Sequence, residues 1–353
     1  MVKVQNVKYT EIPFETNDKN FQQCLSYVKL IDPDYKKYIP KNSKHKASFE
    51  LTDTTSDLAN CIRRYLIDEM PVYSMNVAEE DIESDDRFIL SDFVKNNLEL
   101  IPLLQDITDK EAESLSMSLH VENKTDDTIS VYSGDIVVTD KQKKKLDNSK
   151  YFTTTISIIK LRPGTTLDIK NINIVAGIGK ADSGKFLLLS NISYEILDVI
   201  PMEENKYNKT GQSSLNSNPQ HFRIEFTTHR NMNVKRIMSM CCNTIIKTVS
   251  TLHSELIKIK ESDKVYFSDL IELETKGDVK FFHLKNEYWT IANIISRYCY
   301  LAFKDIQFVC SSIIHPATEE SIVKIRHTES VKIMATALKN IISDVTTIKN
   351  AFK

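Results

Sequence analysis

Asp57-Leu-Ala-Asn-Cys-Ile-Arg-Arg-Tyr65 returns, altered, as Thr290-Ile-Ala-Asn-Ile-Ile-Ser-Arg-Tyr298. At this offset of 233 residues, Ala59, Asn60, Ile62, Arg64 and Tyr65 meet Ala292, Asn293, Ile295, Arg297 and Tyr298. Upstream, without a gap, Phe49 and Leu51 meet Phe282 and Leu284. A repeat of this kind governs the whole architecture, so its surroundings matter. Each copy follows an alternating, strand-like run, Ala47–Leu51 and Val279–Leu284. Polar residues suited to capping a helix come next: Asp53, Thr54, Thr55 and Ser56 in one copy, Asn286 and Thr290 in the other. In the first copy Leu58, Cys61, Ile62, Tyr65 and Leu66 form one apolar stripe, and Pro71 stops the helix. Further strand-like runs follow, at Val72–Val77 and Ile306–Val309.

Each half ends in a long amphipathic pattern, predicting helices over Val234–Ile259 and Ser330–Phe352. Ile245, Val249, Leu252 and Leu256 lie on the first stripe, and Leu338, Ile341 and Val345 on the second. Stripes this long need a partner face, and two in one chain suit pairing about a pseudo-twofold axis. The alternative, each helix packing on its own sheet, holds for part of each stripe. Between the copies come short strand-like runs at Ser116–Val121, Thr128–Tyr132, Thr153–Leu161, Thr166–Ile174 and Phe186–Ile192. Arg162-Pro-Gly-Thr165 has Pro and Gly where a type II turn wants them. Asn205–Gln220 is polar and aperiodic, which predicts a surface loop.

The expected fold is α+β: two domains of antiparallel sheet plus long helices, the first interrupted by a mostly-β insertion. The boundaries drawn from sequence are an N-terminal extension, 1–44; a first domain, 45–105 plus 200–262; the insertion, 106–199; and a second, smaller domain, 263–353.

Composition narrows the function classes. The 353 residues carry 46 basic and 48 acidic side chains, a net charge of −2 that gives no general grip on phosphates. Direct sequence-specific DNA binding is therefore not expected, and Lys141, Lys143, Lys144 and Lys145 read as a solvated loop. The first residues lack the apolar segment of a signal peptide, and no window approaches the roughly 18 apolar residues of a membrane span. Six scattered cysteines without a CxxC pair predict reduced thiols in an intracellular compartment.

No HExxH, G-x-S-x-G or convergent carboxylate set points to catalysis. Gly179 to Lys185 fits the phosphate-loop pattern, but Phe186 stands where a magnesium-binding hydroxyl is needed. A phosphate loop must also open a helix, and the following residues look like a strand. The glycines are expected to serve a tight turn, and the lysine a partner surface. Arg63 and Arg64 have two readings. One is a solvated helix face with an Arg64–Asp68 pair worth about 0.3–0.5 kcal/mol. In the other, two adjacent arginines cannot share one stripe, so at least one is free to bind across an interface.

Phe49–Met75, with its Ala-Asn-x-x-Arg-Arg helix and following Pro71, resembles the opening of alpha-type RNA polymerase subunits. The relevant members are the third-largest eukaryotic subunit, the archaeal D subunit and bacterial alpha. Phe88–Val94 and the closing Leu100-Ile-Pro-Leu103 are similar to the next element of that family. Leu161–Gly164 and Gly177–Lys180, followed by Lys185 and Phe186, resemble the end of its inserted domain. Asn286–Asn293 and His315-Pro316 resemble the smaller partner, the eleventh subunit or archaeal L subunit. Both types fused in one chain are similar to the arrangement in large nucleocytoplasmic DNA viruses. The pattern departs from the family at Asn96-Asn97, Asp182, Phe186 and Tyr288-Trp289. Residues 106–199 also hold no cysteine, so the metal site common in that inserted domain is not expected.

The resemblance implies a non-catalytic assembly subunit without cofactor or metal, acting in an intracellular viral polymerase. It implies an intramolecular pseudo-heterodimer that docks the largest and second-largest subunits and small subunits of the tenth-subunit type. The arginine pair would face the second-largest subunit, chiefly through Arg64, and Arg297 the largest. Asn60, Arg63, Lys180, Lys185 and Asn293 complete the expected interface set. A free-standing scaffold of the same fold is the alternative, and a nucleotide-binding enzyme using Lys185 a weaker one.

Overall fold

The computed structural model describes residues 2–12, 23, 26, 27, 29, 44–104, 106–142, 144–200, 214–215, 219–228, 232–285, 289–303, 305–315 and 320–352. Helices α1 (Ser56–Asp68), α2 (Ser91–Glu99), α3 (Asp109–Ala112), α4 (Val234–Leu256), α5 (Trp289–Ala302) and α6 (Ser330–Ala351) accompany several antiparallel sheets, an α+β fold. Asn286, Tyr288, Pro316 and most of the 205–220 segment lie outside the described residues.

The repeat read from nine residues extends to a whole topology. In the first sheet the spatial order is Lys3–Ile12, Lys44–Thr52, Phe222–Thr228, Ser190–Ile196. In the second it is Ile271–Lys276, Val279–Lys285, Glu320–Arg326, Phe308–Ile313, with the short Val265–Phe267 added beside Ile271–Lys276. Along the chain both sets run strand, strand, helix, strand, strand, long helix. Lys3–Ile12, expected in an extension, is thus the edge strand of the first sheet, pairing Val4 with Leu51 and Tyr9 with Ala47. A bulge hides it in the sequence: the register slips between Gln5 and Lys8, and Asn6 takes a left-handed φ of 52°.

Helix α1 starts where its composition says it should. The Thr55 side chain accepts from the Leu58 amide at 3.2 Å, and Leu58, Cys61, Ile62, Tyr65 and Leu66 are buried. Helix α4 stops three residues short of the expected Ile259, because the Lys258 and Ile259 amides bond three residues back, to Glu255 and Leu256, and tighten the chain.

Helices α1, α4, α5 and α6 pack on one another, and each long helix reaches the other repeat's sheet: α6 meets Lys3–Ile12 and α4 meets Ile271–Lys276. Ile245, Val249, Leu252, Leu256, Leu338, Ile341 and Val345 are all buried in one core that contains residues of both sheets. Phe49 of the first sheet and Phe352 just after α6 meet edge to face, centroids 5.1 Å apart. Each buried Leu or Ile in this seam contributes about 1.5–3 kcal/mol relative to exposure.

A second core lies in the segment between α1 and Ser190. There Pro71–Asn76, Thr166–Ile178, Ser116–Glu122, Val137–Thr139 and Lys145–Leu146 line up, with Ile82–Ser84 also pairing Thr166–Ile178. Val94 and Leu98 of α2 join Met75, Leu103, Leu119, Phe152 and Leu167 inside it. The boundary drawn from sequence between residues 105 and 106 therefore runs through this core. Its physical cause is Pro71–Asn76, which pairs with Thr166–Ile178 rather than with the first sheet. The expected strand Phe186–Ile192 is a turn at Gly184–Phe186 followed by Ser190–Ile196 of the first sheet. The turn tucks Phe186 against Gly177, where a Cβ would come within 2.5 Å of the ring. Gly164 has φ +71°, the left-handed conformation a type II turn needs at that place.

On the outer face of the first sheet, Glu50 alternates with the buried Phe49 and Leu51 and is itself covered. It accepts from Asn6 Nδ2 at 2.8 Å and Arg223 at 3.0 Å, and meets His221 Nε2 at 3.0 Å. The Asn6 hydrogen bond, then Arg223 and His221, hold its carboxyl down at about 2, against the opposing effect of burial. A depressed folded pKa contributes stability that is present above the unfolded value of about 4.3 and is lost as pH falls through the folded one. Between pH 5 and 2.5, thermal unfolding followed by circular dichroism should fall less steeply for Glu50→Gln than for the native chain.

Candidate partner-docking surface

With the stripe of α1 turned into the core, Asn60, Arg63 and Arg64 are left half-buried on its other faces. Arg63 donates through Nε and a terminal nitrogen to Asn60 Oδ1, at 3.0 and 2.8 Å, a fork that fixes both side chains. Arg64 makes no hydrogen bond or ion pair among the described residues. The Arg64–Asp68 pair considered from sequence does not form. The Lys180 amide donates to the Asp68 carbonyl at 2.9 Å, a Cβ at Gly179 would come within 3.3 Å of the Asp68 Cβ, and one Asp68 carboxylate oxygen is buried without a hydrogen-bond partner among the described residues. Arg64 is thus a guanidinium partly out of water with no ion-pair partner among the described residues, the condition under which an incoming carboxylate or carbonyl is favoured.

The two lysines expected at a partner surface are turned inward. Lys180 pairs with Glu69 at the end of α1, at 2.9 Å. Lys185 is only 9% exposed and binds Glu99 and Asn76, each at 2.9 Å, while the Glu99 side chain is 10% exposed. Glu99 also accepts from the Val77 amide at 3.2 Å. Short-range sequence could not expose these commitments, since the partners lie 86 to 111 residues away. The turn at 184–186 opens no long helix, so the anion cradle of a phosphate loop is not built there.

In the second repeat, Asn293 accepts from Ser311 Oγ at 2.5 Å. Arg297 does not point wholly outward: its Nε lies 3.9 Å from Asp57 on α1, and its guanidinium sits 5.8 Å from the Tyr300 ring. Burial pushes the Asp57 carboxyl up, and Arg297 pulls it down by less. The repeat helices α1 and α5 therefore adjoin, bringing Arg297 to the first repeat's helix while Arg64 has no partner among the described residues. Tyr298 donates to Asp344 of α6 at 2.8 Å, fixing α5 against the long helix. The buried Glu99 was missed by sequence reading. Its signal was faint: a lone acid at the end of a pattern whose Val94 and Leu98 point inward.

Among the described residues no group of three or more His, Cys, Asp or Glu side chains could hold a metal ion. No helix there is long and apolar enough to cross a membrane.

No known protein-family model matches the chain. Over 300 residues, 80% of each chain, it is 27% identical to the DNA-directed RNA polymerase RPB3-11 homolog of African swine fever virus. Over 172 residues, 42% of this chain and 52% of the relative, it is 29% identical to subunit 3B of DNA-directed RNA polymerases IV and V of Arabidopsis thaliana. Along most of its length the chain is thus a relative of RPB3-11 proteins of DNA-directed RNA polymerase, in agreement with the resemblance carried by its two repeats.

Proposed function

We propose that the chain is a non-catalytic assembly platform of a multisubunit DNA-directed RNA polymerase, an intramolecular pseudo-heterodimer of two alpha-type halves. The observation that carries this is the repeated topology closed over one core, in a relative of RPB3-11 proteins. The first half comprises the sheet strands up to α1 together with 190–256, the inserted domain about 71–178, and the second half 263–352. Only eight residues separate Leu256 from Val265. So short a connection holds the halves at an effective concentration on the order of millimolar, where separate subunits would have to meet by diffusion.

The outer face of α1, with Asn60, Arg63 and Arg64, docks the second-largest subunit. The second half, with Asn293 and the exposed part of Arg297, docks the largest. Small subunits of the tenth-subunit type complete the platform, within a viral polymerase. Lys180 and Lys185 are assigned internal roles instead.

Arg64 gives the test. Arg64→Glu should leave the fold intact, because the side chain has no partner to lose among the described residues, and should reduce co-purification with the second-largest subunit at least tenfold. Unchanged recovery would refute the contact. Native mass spectrometry of the tagged chain from its own cells should return a many-subunit complex; the chain alone would favour a free-standing scaffold.

A further inference from the structure

The two sheets that flank the helices have four edges, and three are protected against adding another strand. Lys3–Ile12 carries Lys3, Lys8 and Glu11 and the bulge at Asn6. Ser190–Ile196 carries Glu195 and a bulge between Ser190 and Ser193, with Asn191 at φ 51°. Val265–Phe267 is three residues long, and Lys285 lies 3.8 Å over the Phe267 ring. Charges, bulges and extreme shortness are the devices by which sheets avoid edge-to-edge pairing.

The fourth edge, Phe308-Val-Cys-Ser-Ser-Ile313, has none of them. It runs six residues without charge, Pro or Gly, in unbroken register with Glu320–Arg326. Among the described residues no strand lies on its other side, so alternate residues present amides and carbonyls with no backbone partner. Ser311 reaches Asn293 of α5 and Val309 packs against the main core, so that face of the strand is turned to the helix layer; Phe308, Cys310 and Ser312 lie on the other face, and Ile313 at the strand's end is exposed. Phe308 is 46% and Ile314 54% exposed, one apolar side chain at either end of a stretch of small residues.

We infer that Phe308–Ile313 is a docking edge that receives one extended segment of a partner polypeptide as an added strand of the second sheet. The inference rests on the assembly role proposed above and names how the second half takes hold of its subunit. A row of unpaired backbone groups is matched fully only by another extended backbone, and main-chain bonds then supply affinity while side-chain positions supply specificity. The partner segment is uncharged opposite Cys310–Ser312 and apolar where it passes Phe308 and Ile314. It lies beside Asn293 of α5, so strand and helix form one continuous surface.

Hydrogen–deuterium exchange of the native complex and of the chain alone, resolved within residues 308–314, is the test. In the free chain, the strand amides not bonded to Glu320–Arg326 should exchange fast. In the complex they should slow tenfold or more. Phe308→Lys combined with Ile314→Lys, both at exposed positions, should keep the far-ultraviolet spectrum and lose partner recovery about tenfold. A recovered complex in which these amides exchange as in the free chain would overturn the added strand and leave the assembly role standing. Recovery of no complex would sink both. Protection in the free chain that rises with its concentration, with a dimer mass, would overturn the inference by making a second copy the occupant.

Discussion

Lys185→Ala should be among the most damaging single substitutions in the chain, costing about 3–5 kcal/mol in urea unfolding. The ammonium is 9% exposed, between Glu99 and Asn76. Removing it strands the Glu99 carboxylate where water reaches poorly, and the uncompensated charge accounts for most of the loss. The pair need not be favourable in itself: two well-packed apolar residues of similar volume are often as stable. Lys185→Met with Glu99→Leu should therefore recover part of what Lys185→Ala loses, the remainder being the Val77 amide left without its acceptor. A simple role in phosphate binding predicts the opposite, little loss of stability and no rescue. The damage should be felt at the junction of the two cores, because Asn76 and Glu99 end elements that pack in the second core while Phe186 packs in the first.

Leu338→Ala, at the centre of α6, should cost about 2–5 kcal/mol, since the side chain is fully buried and its cavity cannot readily collapse. More telling is which transition moves. The core around Leu338 holds residues of both repeats, so the first and second halves should unfold together. Leu256→Ala in α4 should shift the same transition as Leu338→Ala. Leu167→Ala, in the separate second core, should shift another if the two cores melt apart in calorimetry. Independent melting of the two repeats would contradict the shared core.

The two repeats were legible because their signals are local and strong: a capped helix with one apolar stripe, after a run of period two. The two long helices were legible for the same reason, each carrying one apolar stripe over about six turns. The edge strand Lys3–Ile12 was not, because the bulge at Asn6 breaks the alternation that marks a strand. Nor was the sheet that Pro71–Asn76 joins, because such a run looks the same in sequence whether it pairs with one sheet or another. At the candidate docking surface, sequence distinguished cations from apolar stripes but not which cations were already spent. Arg64 is free of partners among the described residues, whereas Lys180 and Lys185 are tied to acids more than 80 residues away. Such pairings depend on tertiary distance alone, which no spacing rule encodes.

The contact between Phe49 and Phe352 has a consequence for the timing of synthesis. The ribosome makes the strand that carries Phe49 some 300 residues before the helix that covers it. At about 5–20 residues per second, that leaves the part of the first sheet that α6 covers, beside Lys3–Ile12, open for tens of seconds. The segment with the second core can fold in that interval, but the first repeat can close fully only once residues 330–352 have emerged. Ribosomes stalled before α6 should therefore carry a first repeat more sensitive to protease than the second core, and a nascent chain in that state is a natural client for chaperones.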